Sequence, residues 1–252
     1  MIRAIKAERL KYRRTFSRRL ILLSPLFFIA TGFVQKGLLP PSDLKPWALH
    51  LTQSYNWWTV IFVPLGTALF AALVELQEKK AGNYRSLRVH PVSPSFLWTG
   101  KIVLMSCHVF LATLVFMFAV ILSGLVTGGG KIPWTTIVAG GLAMWLASLP
   151  LIPVQLWASA WKGAFFSMAV GFAGMIAGVA AAPGAHWIYV PWSWPIRLMC
   201  PIVGVHPNGV PLAADDPLRN PSAIPTGLAL SVLAFLILTM VTAMWFQRRD
   251  VH

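Results

Sequence analysis

Residues 75–101 read ELQEKKAGNYRSLRVHPVSPSFLWTGK, a charged island between two long apolar segments. It holds Lys79, Lys80, Arg85, Arg88 and Lys101 beside Glu75 and Glu78, five of the 21 basic residues in a chain that is only 11% charged. The apolar runs on either side are long enough to cross a bilayer, so the island marks a point where the chain emerges into water and turns back.

Composition widens the same reading. Of the 252 residues, 57% are hydrophobic, against about 45–50% for a water-soluble domain. A mean hydropathy of +0.68 agrees that the solvent of the core is lipid. The net charge of +14 could suggest nucleic acid, but the cations sit at segment ends and in short connectors. No basic patch with interleaved aromatics is present, which argues against a nucleic-acid partner. Two cysteines allow at most one disulfide; Cys107 falls in an apolar run, where a buried thiol is expected.

The pattern predicts an all-α membrane protein with six transmembrane helices. Residues 1–19 place Ile2, Ile5, Leu10 and Phe16 among eight Lys and Arg, suiting a helix that lies on an anionic membrane surface. A solvated basic tail or a signal peptide are the competing readings. Pro25 interrupts the apolar run that follows and no clean small-x-small site comes after it, so retention is expected. The spans are predicted over about 20–34, 57–76, 96–126, 134–157, 163–182 and 224–246. Tyr55, Trp57 and Trp58 read as an interfacial aromatic anchor before the second span. Pro150 and Pro153 predict a packing kink in the fourth, with Ser148 and Gln155 nearby. In the fifth, Gly174, Gly178 and Ala182 recur every four residues beside Ser167 and Gly171, a stripe for close helix packing or a subunit interface. Residues 183–223 form the largest loop; Trp187, Trp192 and Trp194 there read as bilayer anchors or as outer-face contacts for peptide or lipid.

Orientation follows from the cations. With both termini inside, sixteen Lys and Arg lie on the cytoplasmic side and five (Lys36, Lys45, Lys131, Arg197, Arg219) outside, which predicts cytoplasmic termini, a cytoplasmic island and an extracellular 183–223 loop.

The sequence holds no pattern for chemistry of its own. Gly128–Lys131 mimics a phosphate loop, but Leu125 replaces the first glycine and Ile132 the magnesium-binding hydroxyl. No set of Cys and His has metal-ligand spacing, and of six scattered histidines only His108 falls within a predicted span, where a neutral ring bonded to a neighbouring helix is expected. Ser123-Gly124 has no second motif of an intramembrane protease. No acidic residue lies in the middle of a span, so ion-coupled transport lacks its usual groups. These readings predict no catalytic, metal or cofactor site on this chain.

The island, through Glu78, Lys79, Gly82, Leu87, Pro91, Val92, Ser93 and Lys101 in order, resembles the segment between the second and third helices of ABC-2 type transporter permeases. The opening residues Ala7, Glu8 and Lys11, followed by Pro25, are similar to their N-terminal interfacial helix. Within that superfamily the layout and residues 75–101 look most like the lantibiotic-protection (immunity) permeases. Asn83 and the Trp-rich last loop depart from that pattern. The resemblance implies a single ABC-2 type transmembrane domain over 1–252, with a cytoplasmic coupling segment at 77–95. It implies as partners separate ABC ATPase subunits, which bind ATP and Mg, a second homologous or identical permease, membrane lipid and a peptide cargo. It also implies a bacterial plasma-membrane location.

On that reading Glu78, Lys79, Gly82, Tyr84, Arg85, Leu87, Arg88 and Pro91 couple the chain to its ATPase. Tyr84 and Leu87 would enter a groove while the cations meet acidic rims. Gly82 would allow a turn, and Pro91 and Pro94 would end the element. The competing readings are a solvated basic loop held by lipid phosphates, an exporter of another drug, lipid or glycan, and a sensor or scaffold that transports nothing.

Overall fold

A computed structural model describes residues 19, 23–38, 46–80, 93–127 and 130–249. The interfacial helix expected over 1–19 lies outside the described residues except for Arg19. So do residues 81–92, with Gly82, Tyr84, Arg85, Leu87, Arg88 and Pro91.

Among the described residues the chain is helical, apart from short connections and one isolated bridge between Val205 and Pro211. In hydrocarbon a backbone group has no water to bond, so an apolar chain satisfies its N–H and C=O groups internally. In chain order the helices are α1 (Phe27–Leu38), α2 (Pro46–Trp57), α3 (Val63–Lys80), α4 (Pro94–Thr127), α5 (Trp134–Ser148), α6 (Leu151–Lys162), α7 (Ala164–Ala181), α8 (Ser193–Val203) and α9 (Ala223–Arg248). A π-helical turn, Trp58–Phe62, joins α2 to α3 without a break. Among the described residues five stretches are long and apolar enough to cross a membrane: Trp47–Lys80, Pro94–Thr127, Trp134–Lys162, Ala164–Ala181 and Ala223–Arg248. A sixth apolar helix, Ser24–Val34, is shorter than a span within the described residues.

The second span differs from expectation. It begins at the N-terminus of α2, so Tyr55 and Trp58 lie inside the bundle and only Trp57 is exposed. Tyr55 donates its hydroxyl to the Ile137 carbonyl at 2.6 Å and packs with Phe28, Trp58 and Phe116 into an aromatic core. Pro40, Pro41 and Pro46 all fall between the first two predicted spans. Pro46, however, stands in the first turn of α2, where a missing N–H costs nothing. His50 is thereby drawn into the bundle as well, 1% exposed, with Nε2 at 3.1 Å from the Val120 carbonyl. At 34 residues α4 is about 50 Å long, more than the ~30 Å of hydrocarbon, so it tilts or projects beyond the bilayer.

The fourth span bends as its prolines require. α5 stops at Ser148, Leu149 and Pro150 form a turn, and Ser148 returns its hydroxyl to the Trp145 carbonyl at 2.8 Å. Gly163, at φ +95°, separates α6 from α7 in a conformation that favours glycine. The 183–223 segment contains α8, which folds back against α5, α7 and α9. His108, 8% exposed, donates from Nδ1 to the Leu104 carbonyl of its own helix at 2.8 Å and meets Phe70 of α3 edge-on.

Cys107, expected to be buried, is not. Cys107 is exposed on the flank of α4, whereas Cys200 is fully buried in α8. Burial pushes the Cys200 thiol up to about 11, with Arg197 opposing the shift and Asp216 adding to it. A neutral thiol is therefore favoured by the fold; its contribution to stability is complete at neutral pH and is lost as pH rises through about 11. In detergent near neutral pH, maleimide is expected to label Cys107 and to reach Cys200 only after denaturation, read by mass spectrometry of the two peptides. Labelling of Cys200 in the folded protein would contradict its burial.

Candidate functional site

The two helices that flank the island are joined at its base by a buried ion pair. Glu78, near the C-terminal end of α3, and Lys101, two turns into α4, meet at 2.5 Å with side chains 4% and 0% exposed. Glu75 lies one turn earlier on the same face of α3 and is 1% exposed. Taking such charges out of water costs several kcal/mol per ion and is offset only by close pairing. The pair therefore fixes how the base of the island closes.

Lys101 had been counted among the water-facing cations. The structure corrects this: Lys101 stands two turns inside α4, where its side chain is buried and paired with Glu78 of α3. Glu78 points inward to Lys101, while Lys79 and Lys80 are exposed. The remaining residues expected to couple to an ATPase lie in 81–92, outside the described residues.

The same end of the bundle is locked to α9. Trp98 is fully buried, donates from Nε1 to the Thr242 hydroxyl at 3.0 Å and stacks on Phe246 at 4.6 Å. Trp245 reaches both Trp98 and Trp157, and Trp157 stacks on Trp161 of α6 at 5.0 Å. Cations sit beside this aromatic layer, Lys162 4.4 Å from the Trp161 ring and Arg249 5.5 Å from the Trp245 ring. The ends of α3, α4, α6 and α9 thus form one connected platform beneath the island.

The small-residue stripe of α7 receives elements of this same chain. Ser167 donates to the Ala68 carbonyl at 3.2 Å. With its amide oxygen turned to the Gly171 N–H, at 3.2 Å, Gln155 of α6 donates to the Ser167 carbonyl at 2.9 Å. A methyl group at Gly171 would lie 2.6 Å from Ala68 Cβ and 3.1 Å from the Pro64 carbonyl oxygen, so only small residues let α3 and α7 approach this closely. Gly174 and Gly178 lie under Trp192, and Ala182 is fully buried.

Trp187 and Trp194 are 8% and 4% exposed, so in this conformation their rings contact the chain itself rather than its surroundings. Trp194 donates from Nε1 to the Trp187 carbonyl at 3.1 Å, and Ser193 to the same carbonyl at 2.7 Å. Trp192 is half-buried over α7, and its Nε1 has no hydrogen-bond partner among the described residues.

What the sequence reading missed is the Glu78–Lys101 pair and the Trp98–Thr242 bond. A signal for the first was present: a lysine inside an apolar helix needs an opposite charge, and the i, i+3 carboxylates Glu75 and Glu78 were the nearest candidates. Among the described residues no cluster of His, Cys, Asp and Glu has the makings of a metal site.

The family model described as ABC-2 family transporter protein matches residues 4–178, more than half of the chain and all of the island. No curated protein and no solved structure matches. Membership of this family implies association with ABC ATPase subunits. Multiple apolar spans, a charged island clamped at its base and the matched family agree: the chain belongs to the ABC-2 transporter family, as a multi-pass membrane permease.

Proposed function

We propose that this permease is a subunit of a bacterial ABC exporter that expels a lantibiotic or similar antimicrobial peptide from the membrane, protecting the cell that makes or meets it. The observation that carries an exporter driven from outside the chain is the clamped base of the island. Lys101 and Glu78 tie the ends of α3 and α4, and Trp98 ties α4 to α9, so a push on residues 81–92 moves helices instead of bending a loop. The peptide assignment rests on the resemblance of residues 75–101 to the lantibiotic-protection permeases.

In this reading both termini and the island are cytoplasmic, residues 183–223 face outward, and a second identical or homologous permease completes the pathway. ATPase closure on ATP and Mg presses on Tyr84, Arg85, Leu87 and Arg88. The chain itself holds no cofactor. Packing of α3 on α7 and of α7 on α8 then carries the displacement toward the outer segment.

Two measurements test this. Leu87→Asp is expected to abolish co-purification of the ATPase while membrane insertion is retained; unchanged recovery of the ATPase would defeat the docking assignment. Expression with its ATPase and partner permease is expected to raise survival against a lantibiotic and not against unrelated toxic compounds. Protection against a drug without protection against peptide would replace the cargo and keep the exporter.

A further inference from the structure

A cavity of about 290 Å³ lies along one flank of α3, at mid-span. Phe62 and Phe70, Ala112 of α4 and Met144 of α5 line it, together with Ile61 and Gly66, which are exposed and mark its open side. The cavity has a structural origin. The π-turn Trp58–Phe62 offsets the helix, Pro64 removes a backbone donor, and Gly66 carries no side chain, with nothing within 4 Å of the place its Cβ would take. Across from it α5 ends at Ser148, where the Pro150 turn draws the backbone away.

The lining is mostly apolar, and three of its hydroxyls are already engaged. Thr67 donates to the Val63 carbonyl at 2.6 Å, Thr113 to the Val109 carbonyl at 3.0 Å and Ser148 to the Trp145 carbonyl at 2.8 Å. No ionisable side chain lines it. A buried water needs two to four polar partners, and a hydroxyl whose hydrogen is spent on its own helix offers little. Left unfilled, the lining residues would lose packing contacts on one side. The lining comes from helices that cross the bilayer, and the open side meets the hydrocarbon phase.

We propose that this cavity binds one acyl chain of a membrane phospholipid, which enters sideways between Ile61 and Gly66. The chain asks for no hydrogen bond, and its headgroup stays at the interface while the tail fills the flank of α3. Met144 and Met168, with flexible thioether side chains in the lining, adapt to its shape. The inference depends only on the apolar cavity and the surrounding bilayer, so it stands or falls separately from the cargo assignment.

The test uses the full chain reconstituted in vesicles containing a phospholipid with a photoactivatable diazirine in mid-chain, with adducts mapped by mass spectrometry. Adducts on residues 62–73 and 109–113 are expected to exceed, several-fold, those on Leu233, Leu236, Ile237 and Met240, the exposed flank of α9 that meets any surrounding lipid. Gly66→Leu, which places a side chain in open space at the mouth, is expected to reduce the first set several-fold and leave the α9 adducts unchanged; Gly66→Ala retains both. Adducts at the cavity no more abundant than on α9, as when a second copy of the chain covers the mouth, overturn the proposal. So does a cavity signal that persists in Gly66→Leu. Should that variant fail to insert, the comparison of the two flanks in the wild type still decides.

Discussion

Lys101→Met is expected to destabilise the protein by about 3–5 kcal/mol, the cost of removing one member of a buried ion pair. Glu78, 4% exposed, would lose the cation it meets at 2.5 Å. The loss reads out as a lower midpoint of thermal unfolding in detergent and as reduced yield from membranes. Exchanging the charges, Glu78→Lys with Lys101→Glu, is expected to recover part of the loss because the pair is restored in the same place. The double apolar variant Glu78→Leu with Lys101→Met removes both desolvation costs and is expected to approach wild-type stability. Its ATPase stimulation separates two roles: if the pair only holds the fold, coupling survives in this variant; if it positions the island, coupling falls while stability does not. A Lys101→Met protein as stable as the wild type would show that the pair does not carry the platform.

Gly178→Leu is expected to have the second largest effect, through overpacking at the other end of the molecule. A Cβ at Gly178 would come within 2.8 Å of the Trp192 carbonyl oxygen and 2.9 Å of its carbon, and backbone atoms cannot rotate away. Forcing such an insertion costs about 1–3 kcal/mol or displaces the segment. The displaced segment contains α8, so Cys200, fully buried in the wild type, should become open to maleimide while Cys107 labelling is unchanged. Gly37→Leu is the control, since nothing lies within 4 Å of its Cβ position. Cys200 remaining protected in Gly178→Leu would mean that α7 and the Trp192 turn separate without moving α8.

Periodicity and charge made the helices legible because they report on the solvent. A long apolar run between charged ends has one stable arrangement in a bilayer, and Pro94–Thr127, Ala164–Ala181 and Ala223–Arg248 lie close to where their hydropathy placed them. The proline turn at Leu149–Pro150 was legible for the same local reason: a missing donor cannot be supplied by another part of the chain. The start of the second span was not. Pro46 breaks a helix in its interior and begins one in its first turn, and the sequence does not say which applies until Tyr55 and His50 have found partners on α5 and α4. Aromatics misled for a related reason. Tyr55, Trp58, Trp187 and Trp194 have the composition of an interfacial belt, yet each is buried, the hydroxyl or indole N–H of Tyr55 and Trp194 bonded to a backbone carbonyl. Amphipathic rings serve either place, and the choice depends on what lies opposite.

By itself the sequence determined that this is a helical membrane protein, with a charged island between its second and third predicted spans and no catalytic motif. Those are statements about transfer from water to lipid and about residue types that are missing, and both are sums over neighbouring residues. Tertiary structure alone decided that Glu78 belongs to Lys101, that Trp98 bonds Thr242 of a helix 144 residues away, and that Gly174 and Gly178 receive Trp192. These pairings depend on which helix faces meet. In lipid, where apolar side chains gain little by leaving their solvent, the faces are selected by close packing and by the few polar groups that must find one another.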